Sequence, residues 1–363
     1  MVGTRPEAIK LAPVARALAA RGAQPRLIFT GQHAALDPAE FSLNAFDSIY
    51  LDCPGEEDPH AHVHTVAAAV LPLLIPAPDL LIVQGDTSSA LGAALAGFTA
   101  RIPVAHVEAG LRTHDPFHPW PEEEYRTAID ASAELLFAPT HAAEANLRAE
   151  QVRGRIHVTG NTAVDAVLST TAHLPAPNLH DGGAQRLLVT CHRRESWGEG
   201  LSAIAAALAE LAKDGIRIDF VLHPNGYVAD SMEKLLGGVT NISLIPPCNH
   251  AELVQRMREA DLVLSDSGGI QEEAPALGVP LLVLREKTER PEGLAAGNAR
   301  LVGTSTERIV TEVRRVLAHP AELEAMARRS FPYGDGHAGP RIAEIIEEWL
   351  EARAPARRLR QGR

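Results

Sequence analysis

The chain has few of the features that mark a secreted, membrane or nucleic-acid-binding protein. Its 363 residues include only three cysteines, an odd number that provides no disulfide framework. No apolar run reaches the roughly 18 residues that a membrane span needs, and no charged start followed by an apolar stretch marks a signal peptide. The net charge of −12 disfavours a general nucleic-acid-binding role. These absences predict a cytoplasmic protein with no membrane span and no nucleic-acid partner.

The composition is that of a globular protein, and the length suggests more than one core. Hydrophobic residues make up 45% of the chain and charged residues 22%. A chain of 363 residues exceeds one ordinary core, so we expect two domains. Short apolar runs alternate with longer stretches rich in Ala, Leu, Glu and Arg, which is the βαβ signature of parallel sheets. The pattern predicts an α/β protein with two parallel-sheet domains that face a central cleft.

The predicted boundaries follow the breaks in this pattern. We expect a first domain at 1–170, a linker at 171–185, a second domain at 186–335 and a helix at 336–355 that packs back toward the first domain. The first loop begins almost at residue 1, so we also expect a start that is truncated or wrongly placed. Predicted helices cover residues 8–20, 88–99, 142–150, 201–213, 251–260 and 306–318. Predicted strands cover residues 25–29, 80–83, 104–107, 135–138, 187–190, 219–222, 242–245, 262–265 and 281–284.

Three carboxylates stand in turns marked by glycine or proline between residues 80 and 126. Asp86 follows one predicted strand, Glu108 follows the next, and Glu122 opens a helix-like run after two prolines. Parallel sheets place their ligand crevice at the carboxyl ends of the strands, so we expect these acids to converge. Acids gathered there indicate proton transfer, a bound cation or contacts with sugar hydroxyls.

Several other strand exits carry features of a site for a diphosphate. Ser267, Gly268 and Gly269 precede a predicted helix, whose first N–H groups can bind an anion. Arg5 and Lys10 accompany a second helix start, and Arg290 stands in a further polar loop. An acidic protein that places arginines beside a glycine-lined helix start is expected to bind a diphosphate locally. A surface salt-bridge network is the alternative interpretation.

The histidines give no convincing metal site. His60, His62 and His64 alternate, but they follow an acidic loop and precede a helix, so a solvated helix start is the favoured interpretation. No Cys/His spacing predicts structural zinc. We therefore expect neither a metal nor a cofactor.

Taken together, the motifs resemble those of the non-hydrolysing UDP-N-acetylglucosamine 2-epimerases, a family with the GT-B fold of two Rossmann-like domains. The resemblance runs from Gly3 to about Glu347. It is carried in order by GTRPEAIK, GQH, QGDT, HVEAGLRT, PWPEE, GNTAVDA, HRRES, SDSGGIQEEAP, TERPEG and PYGDG.

The resemblance implies a reaction and assigns residues to it. It implies reversible conversion of UDP-GlcNAc to UDP-ManNAc by elimination of UDP and re-addition through 2-acetamidoglucal, in a homodimer that serves polysaccharide biosynthesis. It makes Asp86, Glu108 and Glu122 the catalytic acids and His223 the catalytic histidine, with Asp86 or Glu122 preferred for proton transfer. Gln32 and His33 match an element that forms an allosteric site in some members. Substrate contacts are implied for Arg5, Lys10, Arg112, His192, Arg193, Ser267, Gly268, Gly269, Glu273 and Arg290.

Four alternatives stay open from the sequence. An epimerase of a modified UDP-HexNAc, of the diacetamido-uronate type, would use the same motifs. A hydrolysing relative would release ManNAc and UDP. A GT-B glycosyltransferase would combine the same nucleotide site with an acceptor, and a nucleotide-sugar sensor would bind without catalysis.

Overall fold

The computed structural model describes residues 1–34, 36–178, 184–191 and 197–361, with side chains described as far as Arg353. The described chain divides into two compact units. The first contains Met1–Ala166 together with the chain from Tyr333 onward, and the second contains Val167–Pro332.

The α/β class predicted from the alternating pattern is confirmed. The described strands are β1 (Arg26–Phe29), β2 (Asp47–Tyr50), β3 (Leu81–Gln84), β4 (Val104–Val107), β5 (Leu135–Ala138), β6 (Arg155–Val158), β7 (Arg186–Thr190), β8 (Arg217–Val221), β9 (Ile242–Ile245), β10 (Leu262–Ser265), β11 (Leu281–Val283) and β12 (Ala299–Leu301). The described α-helices are α1 (Arg5–Ala20), α2 (Pro59–Val70), α3 (Ser88–Ala100), α4 (Glu122–Ser132), α5 (His141–Ala149), α6 (Thr162–Thr171), α7 (Glu199–Lys213), α8 (Gly226–Leu236), α9 (His250–Glu259), α10 (Gly268–Leu277), α11 (Pro291–Ala295), α12 (Thr306–Ala318), α13 (Pro320–Met326) and α14 (Ala338–Gln361).

The first unit contains two groups of parallel strands. Strands β3-β4-β5-β6 pair in that order, and β1 pairs with β2. Met1 and Val2 lie between the groups. Val2 forms a parallel bridge with Phe29 of β1, and the Met1 nitrogen donates a hydrogen bond to the Ile82 carbonyl of β3 at 3.0 Å. These two residues therefore connect the groups.

The second unit is one parallel sheet buried on both faces. Its described strands pair in the order β12-β11-β10-β7-β8-β9. Side chains alternate between the faces of a strand. Accordingly Leu187 and Val189 of β7 pack in the core beneath α7, while Leu188 packs in the core that contains Ile270 of α10. A parallel sheet covered on both faces reads as a continuous apolar run, which is why its central strands could be predicted.

The edge strands β2 and β6 were not predicted because their apolar signal is weak. No residue of β2 or β6 is fully buried, and both strands lie at the edge of their group among the described strands. The sequence DSIY of β2 has no apolar run of strand length. Strand detection from apolar runs fails where one face is open to water.

The last helix packs within the first unit. Ile342 and Ile346 of α14 share a core with Leu11 of α1. The carboxylate of Asp165 accepts hydrogen bonds from the first two N–H groups of α14, at 3.1 Å from Ala338 and 2.8 Å from Gly339. An acid at a helix N-terminus satisfies free donors and interacts favourably with the helix dipole. The helix is therefore anchored at its start and along one face.

Candidate active site

Two of the predicted acids lie at the ends of neighbouring strands in the first unit. Strands β3 and β4 pair in register, so Gln84 stands opposite Val107. The next residues, Gly85 and Glu108, begin the two turns, and the Gly85 N–H donates to the Val107 carbonyl at 3.1 Å. The turn of Asp86 is thereby attached to the end of the strand that carries Glu108.

Glu108 is a buried carboxylate held by a cation. The Lys10 ammonium donates to both carboxylate oxygens, at 2.7 and 2.8 Å, and the side-chain amide of Gln84 also donates to Glu108. The backbone of Glu108 has φ +71°, in the left-handed region that non-glycine residues avoid. Such a conformation persists only where its surroundings over-determine it, and it is typical of functional sites.

Asp86 is paired with the guanidinium of Arg126, which comes from α4. Arg126 also contacts Glu123 at 3.2 Å, and its side chain is only 2% exposed. Glu123 accepts hydrogen bonds from the backbone N–H groups of Thr113 at 2.9 Å and His114 at 3.0 Å. The Arg126 guanidinium thus orients the Asp86 carboxylate, and Glu123 in turn holds Arg126 in place.

Glu122 is the first residue of α4 and is partly buried. The N-terminus of a helix carries partial positive charge, which favours a carboxylate there. Burial, together with the negative charges of Asp58, Glu122 and Glu124, raises the pKa of Tyr125 on the same helix turn to about 12. The start of α4 is therefore a region of concentrated negative charge.

The start of α1 is satisfied from within the chain. Glu7 accepts hydrogen bonds from the N–H groups of Gly3 and Thr4, both at 2.6 Å, and from the Thr87 hydroxyl at 2.6 Å. Thr4 and Glu7 form a capping box. Burial raises the pKa of Glu7, against these hydrogen bonds, which favour its charged form. Because Glu7 accepts hydrogen bonds from these N–H groups, they are not available to an anion. The segment can attract an anion only through its positively charged side chains.

Arg5, Gln32 and His33 lie close together at this helix start. The Arg5 N–H donates to Nδ1 of His33 at 3.3 Å, and its guanidinium forms an ion pair with Glu40 at 3.5 Å. Burial and the nearby Arg5 charge lower the pKa of His33. The Gln32 side-chain oxygen accepts a hydrogen bond from the Ser89 N–H at 3.4 Å.

The second unit presents a glycine-lined helix start beside a buried arginine. Ser267 precedes α10 and makes no side-chain capping bond. A Cβ atom on Gly268 would stand 2.7 Å from the guanidinium carbon of Arg290, so only glycine admits the arginine here. Arg290 donates to Glu272 at 2.6 Å and contacts Glu289. The cation is therefore fixed against the helix N-terminus.

Two further side chains of the second unit lie near strand exits. Glu273 of α10 is buried and lies 3.0 Å from Nε2 of His250, whose Nδ1 lies 3.4 Å from the Thr170 hydroxyl. His223 follows β8, is partly exposed and accepts a hydrogen bond from the Asn225 N–H at 3.1 Å. Both residues are titratable and lie near the carboxyl ends of strands.

Comparison with known proteins decides the family. The family model described as UDP-N-acetylglucosamine 2-epimerase matches residues 16–347. The UDP-N-acetylglucosamine 2-epimerase of Escherichia coli is 42% identical over 95% of this chain and 96% of its own. The chain belongs to the UDP-N-acetylglucosamine 2-epimerase family.

Solved structures of the epimerase family share the fold. The Neisseria meningitidis UDP-GlcNAc 2-epimerase bound to UDP-GlcNAc superposes with a TM-score of 0.89 at 36% identity, over 96% of this chain and 98% of that one. The Methanocaldococcus jannaschii enzyme in complex with UDP-GlcNAc and UDP superposes with a TM-score of 0.84 at 32% identity, over 96% and 98% of the two chains. The resemblance and the GT-B class with Rossmann-like domains are therefore confirmed.

The epimerase motifs also contain residues whose roles stay predictions. Arg112, expected to contact substrate, is buried and binds Asp130 at 2.8 Å and Glu150 at 2.7 Å. Burial disfavours its charge, but these two carboxylates outweigh that effect and raise the pKa of Arg112. Here the guanidinium holds the framework together. His192 and Arg193 lie outside the described residues.

Sequence reasoning missed the partners that hold the predicted acids. Arg126 donates to Asp86 and to Glu123, and Gln84 donates to Glu108. Asp130 lies on α4 one turn after Arg126. The spacing of the charged residues in EEEYRTAID indicated a charged helix face, since residues four apart lie on one side. Which acid each cation would contact could not be read from that spacing.

Two further features are absent from the described residues. No cluster of three or more His, Cys, Asp or Glu side chains suited to a metal occurs among the described residues. In the same part of the chain, no helix has the length and apolar character to cross a membrane.

Proposed function

We propose that this chain catalyses the reversible epimerisation of UDP-GlcNAc at C2 to give UDP-ManNAc. The observation that carries the proposal is the pair of acids at adjacent strand ends, Asp86 with Arg126 and Glu108 with Lys10. Family membership over residues 16–347 and the relative solved with bound UDP-GlcNAc support this substrate.

The proposed reaction begins with an elimination. The C1–O bond breaks and its electron pair leaves with UDP, while the C2 proton passes to an enzyme base, giving 2-acetamidoglucal. In the second half of the reaction a UDP oxygen forms the bond to C1 again, and an enzyme acid adds a proton to the opposite face of C2. The products have the same atoms and oxidation state as the substrate, so no external reductant or oxidant is needed.

The acids of the first unit suit the proton and charge transfers. Asp86 or Glu122 would exchange the C2 proton. Both side chains can reach a substrate, because Asp86 is 25% exposed and Glu122 is partly exposed. A positioned acid or base typically contributes about 10²–10⁴-fold to the rate. The buried Glu108 would stabilise positive charge that develops at C1, with Lys10 holding its carboxylate in place.

The second unit suits the leaving group. N–H groups at the start of α10 and the guanidinium of Arg290 would bind the diphosphate, since both favour negative charge. Glu273 would accept hydrogen bonds from ribose hydroxyls, and His223 would assist at the sugar or the diphosphate. Positive charge set in place before the C1–O bond breaks lowers the barrier to departure of UDP.

The test is to incubate the protein with UDP-GlcNAc in deuterated water and follow the sugar by NMR. The proposal expects deuterium at C2 in nucleotide-linked ManNAc and in recovered UDP-GlcNAc. Absence of deuterium after long incubation of folded protein would exclude this substrate. Free ManNAc would indicate the hydrolysing class, and turnover only with a diacetamido-uronate nucleotide would indicate the modified-sugar epimerase. Transfer of the sugar to an added acceptor would indicate a glycosyltransferase.

We further propose a homodimer and a role in polysaccharide biosynthesis. Sedimentation velocity at micromolar protein concentration measures the first, and a monomer at all concentrations tested would exclude it. Loss of ManNAc-containing polysaccharide on deletion of the gene would support the second.

A further inference from the structure

A buried histidine that the proposed reaction does not use lies beneath both acid-bearing turns. His106 belongs to β4, stands opposite Val83 of β3 in the sheet and has no exposed side-chain surface. Buried ionisable groups are costly unless paired, so a histidine in a strand core calls for a reason.

Both ring nitrogens of His106 face hydrogen-bond acceptors. Nδ1 lies 2.6 Å from a carboxylate oxygen of Asp130, and Nε2 lies 2.8 Å from the carbonyl oxygen of Gly85. Burial alone would raise the pKa of Asp130, but the charges of His106 and Arg112 outweigh it and hold that pKa below its ordinary value. Asp130 also accepts hydrogen bonds from the Gly110 N–H and the Arg112 guanidinium, so it is an acceptor. The ring can satisfy both neighbours only by donating from both nitrogens.

The hydrogen bonds of His106 connect it to the Asp86 turn directly and to the Glu108 turn through Asp130. Gly85 directly precedes Asp86 and has φ +70°. The second carboxylate oxygen of Asp130 accepts from the Gly110 N–H at 3.0 Å, two residues after Glu108. An unbroken series of hydrogen bonds therefore runs from the Gly85 carbonyl through His106 and Asp130 to the Gly110 N–H.

The conformation of these turns explains why they need such a connection. Gly85, Glu108 and Gly110 all have positive φ, and a Cβ on Gly110 would stand 2.4 Å from the Ala143 carbonyl oxygen. Backbone in this region relaxes unless its surroundings hold it. The acids must meet a substrate carbon at close range, where a displacement of about 1 Å can cost about 10²-fold in rate.

We propose that His106 is a positioning residue, which holds the Asp86 turn and the Glu108 turn in one geometry by donating a hydrogen bond from each ring nitrogen. The inference rests on the proposed epimerase function. The charged groups around the ring are Asp130, then Arg112, which binds Asp130, and Glu150, which Arg112 also binds. None of these needs to touch substrate for the positioning to operate.

Two substitutions separate the two contacts. In His106→Asn the amide nitrogen can occupy the place of Nδ1 and contact Asp130, but the donor to Gly85 is lost. In His106→Gln the amide nitrogen can occupy the place of Nε2 and keep the donor to Gly85. Val70→Ala, in the α2 part of the first unit's core, is the control for lost stability.

The experiment measures kcat and KM for UDP-GlcNAc by NMR, with unfolding temperatures of all variants. We expect kcat to fall about 100-fold in His106→Asn and about 10-fold in His106→Gln, while KM changes less than about threefold. Val70→Ala should keep the wild-type kcat. An active wild type whose His106 variants match Val70→Ala would overturn this inference alone. An inactive wild type would overturn the proposed function and the inference together.

A spectroscopic measurement covers the case in which His106→Asn does not fold. In protein labelled with ¹⁵N-histidine, both ring nitrogens of His106 should carry a hydrogen that is bonded to an acceptor, and these two N–H signals should be absent from His106→Gln. A single ring N–H at His106 would overturn the proposed double donation.

Discussion

Two buried ion-pair networks, one in each unit, differ in the sign of the charge that lies nearer the surface. In the first unit the Asp86 carboxylate is 25% exposed while its partner Arg126 is 2% exposed. In the second unit the Arg290 guanidinium is 8% exposed while its partners Glu272 and Glu289 are fully buried. In each pair the deeper partner fixes the outer one. A buried counter-charge thus lets one fold present a carboxylate in one place and a guanidinium in another.

The largest effect should come from removing the outer charge of the first unit. Asp86→Asn should lower the rate of C2 deuterium exchange about 10³-fold, because general acid–base catalysis contributes about 10²–10⁴-fold. The amide keeps the shape of the side chain. The matched control is Asp47→Asn, which removes an exposed carboxylate paired with Arg26. If Asp86→Asn exchanged deuterium at the rate of the control, Asp86 would have no part in proton transfer.

Removing one partner of an ion pair that is buried on both sides should instead affect stability. Lys10→Met leaves the Glu108 carboxylate buried without its cation, and we expect the free energy of unfolding to fall by about 3 kcal/mol. Adding Glu108→Gln should recover part of this loss, since the uncompensated charge is then gone. Thermal unfolding of the single and double variants measures the coupling. Strictly additive effects would show that the two side chains do not stabilise each other.

A smaller effect should follow from changing the proposed anion site of the second unit. Arg290→Lys keeps the charge but loses the planar fork that binds Glu272 and a phosphate, so UDP should bind about tenfold more weakly, or about 1.4 kcal/mol. Arg314→Lys is the control, because Arg314 forms exposed ion pairs with Glu210 and Asp214. Calorimetric titration with UDP measures both. If Arg290→Lys and Arg314→Lys bound UDP with equal affinity, Arg290 would have no part in binding UDP.

The smallest expected effect is on the pH dependence of the free energy of unfolding. Asp130 has a folded pKa below its unfolded value, so its contribution to stability is present above the unfolded pKa and is lost as pH falls through the folded pKa. The free energy of unfolding of the wild type should therefore fall more steeply on acidification than that of Asp130→Asn. Parallel curves from chemical denaturation across acidic pH would contradict this. The charge of Asp130 would then make no contribution to the free energy of unfolding.

Much of the first unit's site was predictable because strand ends are marked locally. The apolar run of β4 stops at Glu108, and the run of β3 stops just before Asp86, so parallel pairing brings the two acids together. The Gly268–Arg290 contact is different. Glycine and arginine were both predicted for the anion site, but only the structure places the guanidinium on the glycine.

The surroundings of charged residues that end up inside could not be predicted. Arg112 stays a predicted substrate contact, and only the structure shows that it is buried among Asp130, Glu150 and a backbone carbonyl. A charged side chain in a loop gives no signal of its own burial. Burial depends on which other elements cover the loop, and α4 and α5 do so here.

The sequence by itself determined the α/β class, the parallel strand ends and the acids and glycines that follow them. These depend on runs of neighbouring residues, whose apolar period and turn propensities act locally. Tertiary structure alone decided which charges pair. Lys10 and Glu108 are 98 residues apart, and Asp86 and Arg126 are 40 apart. An ion pair gains its strength from burial and geometry. Both arise only when separate elements pack together.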